Sequence, residues 1–338
     1  MLVVLTHLPG IELNHSPDQI LPEVVKLGIS GVDLFFVISG FIMVWVTRDM
    51  AVSGRKAVKF LYARFTRIYP LYWVLAFALF CVWQFDPSII NFDPTVTSLP
   101  KSFALLPVYP YPMLTVAWTL THELYFYLIF SLTLLLPRQL RFPALTVWAV
   151  AVILGNLSGL GQKSLELAVI FNPMGLEFYM GALAAVIFIK FKGLMGRWVF
   201  RIGIALWLSM LVYQTQFSAA LIPTDWTRII MFGIPATLIV YGCVAIEQTG
   251  QTFSRWSQVL GDWSYSIYLS HILTLSALGF VWRWVARNGA TDNIVVLSIM
   301  LALMIAVSGL IYHMIETPLL RLTKHIGKRL FKEKSANS

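Results

Sequence analysis

Apolar residues run through this chain in long blocks, broken by short polar stretches. A helix crossing the ~30 Å hydrocarbon core of a bilayer needs roughly 20 mostly apolar residues. About ten segments approach that pattern, near residues 1–8, 31–47, 68–85, 117–136, 142–160, 167–189, 202–218, 227–246, 264–285 and 293–315. Tyr and Trp gather near many of their ends, as they do at membrane interfaces. The pattern predicts an all-α, polytopic integral membrane bundle of about ten transmembrane helices. The first segment is short: Met1 to Leu8 covers only ~12 Å as a helix, and Pro9-Gly10 predicts its end. It has neither a basic start nor a cleavage pattern, so it does not read as a signal peptide, and the natural chain is expected to begin upstream.

Composition agrees. The 338 residues are 58% hydrophobic and 12% charged, with mean hydropathy +0.75, against about 25% charged residues in soluble domains. The net charge of +9 does not point to nucleic acid, because of where the cations lie. With the first helix running outward, 19 of 25 Lys and Arg fall in inner loops or the C-terminal tail. Outer loops hold Lys26, Lys101, Lys163 and Arg287, while Arg228 and Arg283 sit at segment ends. This positive-inside bias places both termini in the cytoplasm. The tail from Lys328 through Lys332 to Lys334 suits an anionic lipid surface. Cys81 and Cys243 lie inside apolar runs, which predicts neither a disulfide nor a Cys metal site. The outer loop from about Asp86 to Val116 is rich in proline and is expected to fold over the bundle.

Against this background the polar residues inside apolar runs stand out. A charge at bilayer depth costs about 3 kcal/mol or more, so it marks a functional site facing the bundle interior. Glu123, His7, Asp33, Glu177 and His271 all lie in such runs. Glu123 shares a helix face with Thr119 and Tyr127, giving one polar stripe. The adjacent His122 points about 100° away and reads as structural. Tyr265, Tyr268 and His271 recur every third residue and form another face. Arg64 and Arg67, three apart before Ile68-Tyr69-Pro70, share a face too, and two guanidiniums suit a phosphate-bearing ligand. Pro70 is expected in the first turn of its helix. Small Ser39 and Gly40 permit close helix approach. Asp33 could orient a histidine or serve the start of its helix. His15 is a weaker outer-side candidate, and His313 and His325 read as bystanders. No nucleophile elbow, metal-binding pattern or glycine-rich phosphate loop occurs, so no metal is expected.

Five ordered motifs resemble one family. Gly31-Val32-Asp33-Leu34-Phe35-Phe36-Val37-Ile38-Ser39-Gly40-Phe41 is similar to the second helix of the membrane acyltransferase-3 family. Arg64-Phe65-Thr66-Arg67-Ile68-Tyr69-Pro70 resembles its Arg-x-x-Arg-Ile-x-Pro. Trp118-Thr119-Leu120-Thr121-His122-Glu123 resembles its Trp-Ser/Thr-Leu-x-x-Glu, in a variant similar to the exopolysaccharide acetyltransferase branch. Ser264-Tyr265-Ser266-Ile267-Tyr268-Leu269-Ser270-His271 and Glu316-Thr317-Pro318 resemble the remaining two, the last ending the family's final core helix. The family's first-helix Arg-x10-His pair is met by His7 in its histidine, and its arginine would precede Met1.

The resemblance implies a bacterial inner-membrane O-acyltransferase. Acyl-CoA, most simply acetyl-CoA, is its cytoplasmic co-substrate, with no bound cofactor. The acceptor is a hydroxyl of a surface or exported polysaccharide or lipid-linked glycan. Moving an acyl group from a thioester to a hydroxyl needs a base or a nucleophile, and histidine can be either. His7 is expected in that role, backed by Glu123 or Asp33. Arg64, Arg67 and Tyr69 are expected at the donor, and Trp118, Tyr127, Tyr265, Tyr268, His271 and Glu316 on the acceptor side or in support. Residues 1–318 then form the transmembrane acyltransferase domain with a shortened first helix, and 319–338 a basic cytoplasmic tail. No pattern specifies an oligomeric state. A transporter or flippase for a lipid-linked glycan is the rival, although it would not need the paired arginines and commonly shows internal repeats, which are not visible. An acyltransferase for a small lipid or sugar-bearing metabolite fits the same residues.

Overall fold

The computed structural model describes residues 1–87, 92–218, 220–251, 254–286 and 289–331. Arg287, Lys332 and Lys334, counted above, lie outside the described residues. Among the described residues the chain is helical without a strand. Its helices are α1 (Leu2–His15), α2 (Ser30–Thr47), α3 (Gly54–Phe85), α4 (Leu99–Phe103), α5 (Trp118–Thr133), α6 (Arg138–Leu157), α7 (Leu165–Ile170) and α8 (Gly175–Phe191). There follow α9 (Gly196–Phe217), α10 (Asp225–Arg228), α11 (Ile234–Gln248), α12 (Arg255–Asp262), α13 (Ser264–Val285), α14 (Ala290–Ile311) and α15 (Thr317–Leu330).

Eight segments among the described residues are long and apolar enough to cross a membrane. The expected count of about ten is reduced because α1, with 14 residues, and α5, with 16, are short, against the roughly 20 that a span requires. Helix α5 does not need that length, because it is enclosed. Thr119, Leu120, His122, Glu123, Leu124, Phe126, Tyr127 and Phe130 are all buried, and Phe126 stacks on Phe178 of α8 with centroids 4.5 Å apart. Helix α9, by contrast, buries only Gly196, Gly203 and Gln214 and lies at the periphery.

Three expectations about helix ends are corrected. Helix α1 does not stop at Pro9-Gly10 but contains Pro9 and runs to His15. Proline removes one backbone donor, yet the far end is anchored through buried Glu12. Its Oε1 accepts Ile20 N at 3.0 Å and Asn293 Nδ2 at 2.8 Å, and its Oε2 accepts Leu21 N at 3.0 Å. Pro70 is not in a first turn, because α3 starts at Gly54, with Ser53 capping it. Glu316-Thr317-Pro318 does not end the last helix either. A π turn at Tyr312–Glu316 absorbs the proline, and α15 continues to Leu330, as single-turn π insertions allow. From Thr317 to Leu330 the expected tail is therefore helical, and this helix lies along α3, where Tyr62 OH donates to Thr323 O at 2.7 Å.

Helices α2 and α8 cross at two glycines. A Cβ on Gly40 would stand 1.9 Å from Phe178 O, and one on Gly181 would stand 2.0 Å from Val37 O. Ser39, beside Gly40, is thereby carried into the interior. Asp33 of α2 is wholly buried and faces Arg228 of α10 rather than a histidine. Arg228 Nε donates to Oδ1 at 2.8 Å and Nη2 to Oδ2 at 2.9 Å. This bidentate pair satisfies both carboxylate oxygens, which a single imidazole would not. Glu177 of α8, also wholly buried, packs against Gly233 nearby.

Gly40→Ala and Gly181→Ala should each destabilise the bundle by about 1–3 kcal/mol, seen as a lower melting temperature in detergent. An unchanged melt would mean that the crossing is looser than described. Arg228→Gln should cost about 3–5 kcal/mol by leaving Asp33 charged and unpaired. Pairing it with Asp33→Asn should recover part of that loss in the same assay, whereas strictly additive losses would show that the two groups are not coupled.

Candidate active site

A part-open cavity of about 570 Å³, the central cavity of the site, lies between α1, α2, α3, α5, α12 and α13. Arg64, Arg67, Glu123, Tyr127, Tyr265, Tyr268 and His271 line it. A second hollow of about 840 Å³ opens between α3 and α15, lined by Lys59, Tyr62, Lys324, Lys328 and Phe331. Arg64 and Arg67 line both, so the two spaces meet at the paired arginines.

The arginines differ. Arg67 forms an ion pair with buried Glu316, which also accepts Ser266 Oγ at 2.5 Å. The π turn that extends the last helix thus aims Glu316 inward at α3 and α13. Arg64 forms no ion pair among the described residues, and its buried Nε has no hydrogen-bond partner there. Tyr69 lines neither space. Its hydroxyl donates to Ala104 O at 2.9 Å and, with Tyr72 and Trp73, fixes the segment around α4. It is placed to hold a loop, one helix face away from Arg64 and Arg67.

Glu123 sits deep in the central cavity. It accepts Ser39 Oγ at 3.1 Å and the Tyr127 hydroxyl, the latter one turn along α5. Its polar stripe with Thr119 and Tyr127 faces inward. No histidine bonds it among the described residues, so Glu123 is held by hydroxyls instead. Thr119 Oγ1 lies 2.5 Å from the Tyr268 hydroxyl, which donates to Val116 O at 2.6 Å. Tyr265 OH donates to Ile68 O at 2.7 Å, and the Arg67 guanidinium lies over its ring at 5.2 Å. These tyrosines brace α13 against α3 and α5 while presenting their rings to the cavity.

Two histidines meet near one end of this space. His7 on α1 and His271 on α13 have ring centroids 5.2 Å apart, tilted by 42°. His7 is half-buried and His271 fully buried. Trp118 faces elsewhere, into a smaller cavity of about 210 Å³ beneath the proline-rich loop, together with His122 and Tyr111. His15 is engaged by Arg283 Nε at 2.9 Å, away from the centre.

The arrangement joins a cationic opening to a largely apolar cavity that holds a hydroxyl-bound carboxylate and the His271 ring, with His7 behind His271 and outside the lining. Sequence reasoning missed Arg228 as the partner of Asp33. The signal was a cation at the start of an apolar run, which calls for an opposite charge, but the partner lies 195 residues away. It also missed Lys59, Lys324 and Lys328 as one surface, because α15 was expected as a tail.

A family profile described as an acyltransferase domain matches residues 1–313. Exopolysaccharide production protein ExoZ of Rhizobium meliloti is 29% identical over 306 residues, covering 87% of this chain and 90% of that protein. Acyltransferase MdmB of Streptomyces mycarofaciens is 26% identical over 347 residues, covering 91% and 84%. Nodulation protein 10 of Rhizobium leguminosarum bv. viciae is 26% identical over 341 residues, covering 89% and 84%. No solved structure matches the chain. With almost the whole chain inside that profile and eight segments able to cross a membrane among the described residues, the protein belongs to the membrane acyltransferase-3 family and is a multi-pass membrane O-acyltransferase.

Proposed function

We propose that this enzyme moves an acetyl group from cytoplasmic acetyl-CoA to a hydroxyl of a surface or exported polysaccharide at the bacterial inner membrane. The observation that carries this reading is the meeting of the basic hollow and the central cavity at Arg64 and Arg67. A CoA thioester is a polyanion at one end and a small neutral acyl group at the other. The hollow between α3 and α15 offers Lys59, Arg64, Lys324 and Lys328 to the phosphates. Arg64, with no ion pair among the described residues, is the better phosphate ligand. Arg67 divides its charge between this opening and Glu316. The pantetheine arm then leads the thioester past the arginines toward Glu123 and the histidine pair.

At the far end of that path the paired histidines His7 and His271 promote transfer, as a base or as a transient acyl carrier. Glu123 sets the field of the chamber from its place between Ser39 and Tyr127. Tyr127, Tyr265 and Tyr268 wall the acceptor side, and Trp118 stands beneath the outer loop, where a sugar ring would approach. Basic residues gather at the α3 and α15 end, which by the positive-inside rule faces the cytoplasm. The polysaccharide acceptor is supported by the similarity to ExoZ, named an exopolysaccharide production protein.

Deleting the gene should remove one O-acetyl ester from the cells' purified polysaccharide, as counted by solution NMR. The wild-type gene should restore that ester, and His7→Ala should fall short by roughly 100-fold or more in transfer rate. Unchanged ester content with altered polysaccharide amount or length would favour transport instead. In purified enzyme, Arg64→Ala should raise the KM for acetyl-CoA roughly tenfold or more, from loss of charge-assisted contacts, while leaving the acceptor KM near wild type. An unchanged donor KM would remove Arg64 from the CoA site.

A further inference from the structure

His271 is a buried histidine with only one of its ring nitrogens satisfied. Its Nδ1 lies 2.7 Å from Tyr268 O and 3.1 Å from Ile267 O. A carbonyl oxygen only accepts, so Nδ1 carries the hydrogen and the neutral ring keeps its lone pair on Nε2. That Nε2 is buried and has no hydrogen-bond partner among the described residues. The ring is 0% exposed and forms part of the wall of the central cavity. A histidine held only for packing is expected to find a donor for its second nitrogen, because an unmatched buried acceptor is costly. His7 does not supply one: the rings are 5.2 Å apart at their centroids, and no hydrogen bond joins them.

We infer that Nε2 of His271 is the atom that accepts the proton of the acceptor hydroxyl during transfer, an inference that rests on the acyltransferase reading given above. The hydroxyl donates to Nε2 and its oxygen attacks the thioester carbonyl carbon. The O–C bond forms as the O–H bond breaks, and the proton goes to Nε2. Collapse of the tetrahedral species breaks the C–S bond, and the proton passes from Nε2 to the departing sulfur. The products are an ester and a free thiol, with both rings returned to their starting state. Backbone carbonyls at Nδ1 fix the tautomer and stabilise the imidazolium, the part that an orienting acceptor plays in other histidine bases. The rings against His271 are those of His7 from α1 and Tyr268 on its own helix, the amino group of Met1 at the start of α1 acts on it as well, and Tyr265, Glu123, Arg64 and Arg67 line the same cavity. Two imidazolium ions so close would repel, so His7 stays neutral while His271 holds the proton.

The test is His271→Asn in the full-length protein, reconstituted with acetyl-CoA and polysaccharide from the deletion strain. The asparagine amide reaches the place of Nδ1 and keeps a donor to Tyr268 O, but offers no base at Nε2. We expect kcat to fall roughly 100-fold or more, with the KM for acetyl-CoA within about threefold of wild type. His271→Gln, which places a non-basic amide near Nε2, should behave alike and serves if the asparagine variant melts early. A folded variant of either kind with near wild-type kcat, or one whose loss lies in the KM for acetyl-CoA and not in kcat, would overturn the inference. Wild-type enzyme that transfers nothing would instead overturn the functional reading on which it rests.

Discussion

Water is absent from the bilayer core, so a polar side chain buried there gains most from a partner on another helix, as most in this bundle do, Glu177 of α8 being buried with no hydrogen-bond partner among the described residues. That constraint sets the internal architecture. Asp33 and Arg228 close a bidentate pair between α2 and α10. Glu316 joins the end of the last helix to Arg67 on α3 and Ser266 on α13. Glu123 draws α5 to α2 through Ser39. An isolated charge at bilayer depth costs about 3 kcal/mol or more, a large part of the roughly 5–15 kcal/mol margin of a folded domain, so these joints are not interchangeable with apolar packing. They also divide the polar groups. Those that pair with each other hold the frame, and those left facing the cavity are available for chemistry.

The frame explains the shape of the proposed reaction. Because Gly40 and Gly181 let α2 and α8 meet at backbone distance, Ser39 turns inward and reaches Glu123. Because the π turn redirects Glu316, Arg67 is anchored while Arg64 is left to the junction of two spaces. Because α15 continues as a helix along α3, Lys324 and Lys328 face that junction from across the hollow. In the proposed reaction a polyanionic donor would enter by the junction of the two spaces, with the histidine pair beyond it. The proposed place of the proton on His271 rests on hydrogen bonding, since of the two rings His271 has the nitrogen fixed by backbone carbonyls.

Much of this was legible in the chain. Runs of apolar residues give the helices, since a helix is the one open-ended element that satisfies its own backbone in lipid. The i, i+4 spacing of Thr119, Glu123 and Tyr127 gives an inward stripe, because side-chain direction on a helix is a local property. Arg64 and Arg67 were readable for the same reason. What was not legible depends on distant segments. Pro9 and Pro70 read as helix ends, yet both are carried inside helices by surrounding contacts. The continuation past Glu316 depends on α3 offering a surface to α15. Asp33 read as a partner for a histidine, because nothing local distinguishes an imidazole from an arginine far along the chain. Tyr69 shares a motif with Arg67 but points to the loop around α4, a difference of helix face that a motif does not display.

The central claim is that donor and acceptor enter from opposite faces and meet inside the bundle. It is tested most directly with vesicles holding the protein in one orientation, labelled acetyl-CoA on one side and polysaccharide on the other. The account predicts labelled ester when acetyl-CoA meets the face bearing Lys324 and Lys328, and none in the reverse arrangement. Transfer only when both substrates share one face, or only with acetyl-CoA on the opposite face, would contradict it.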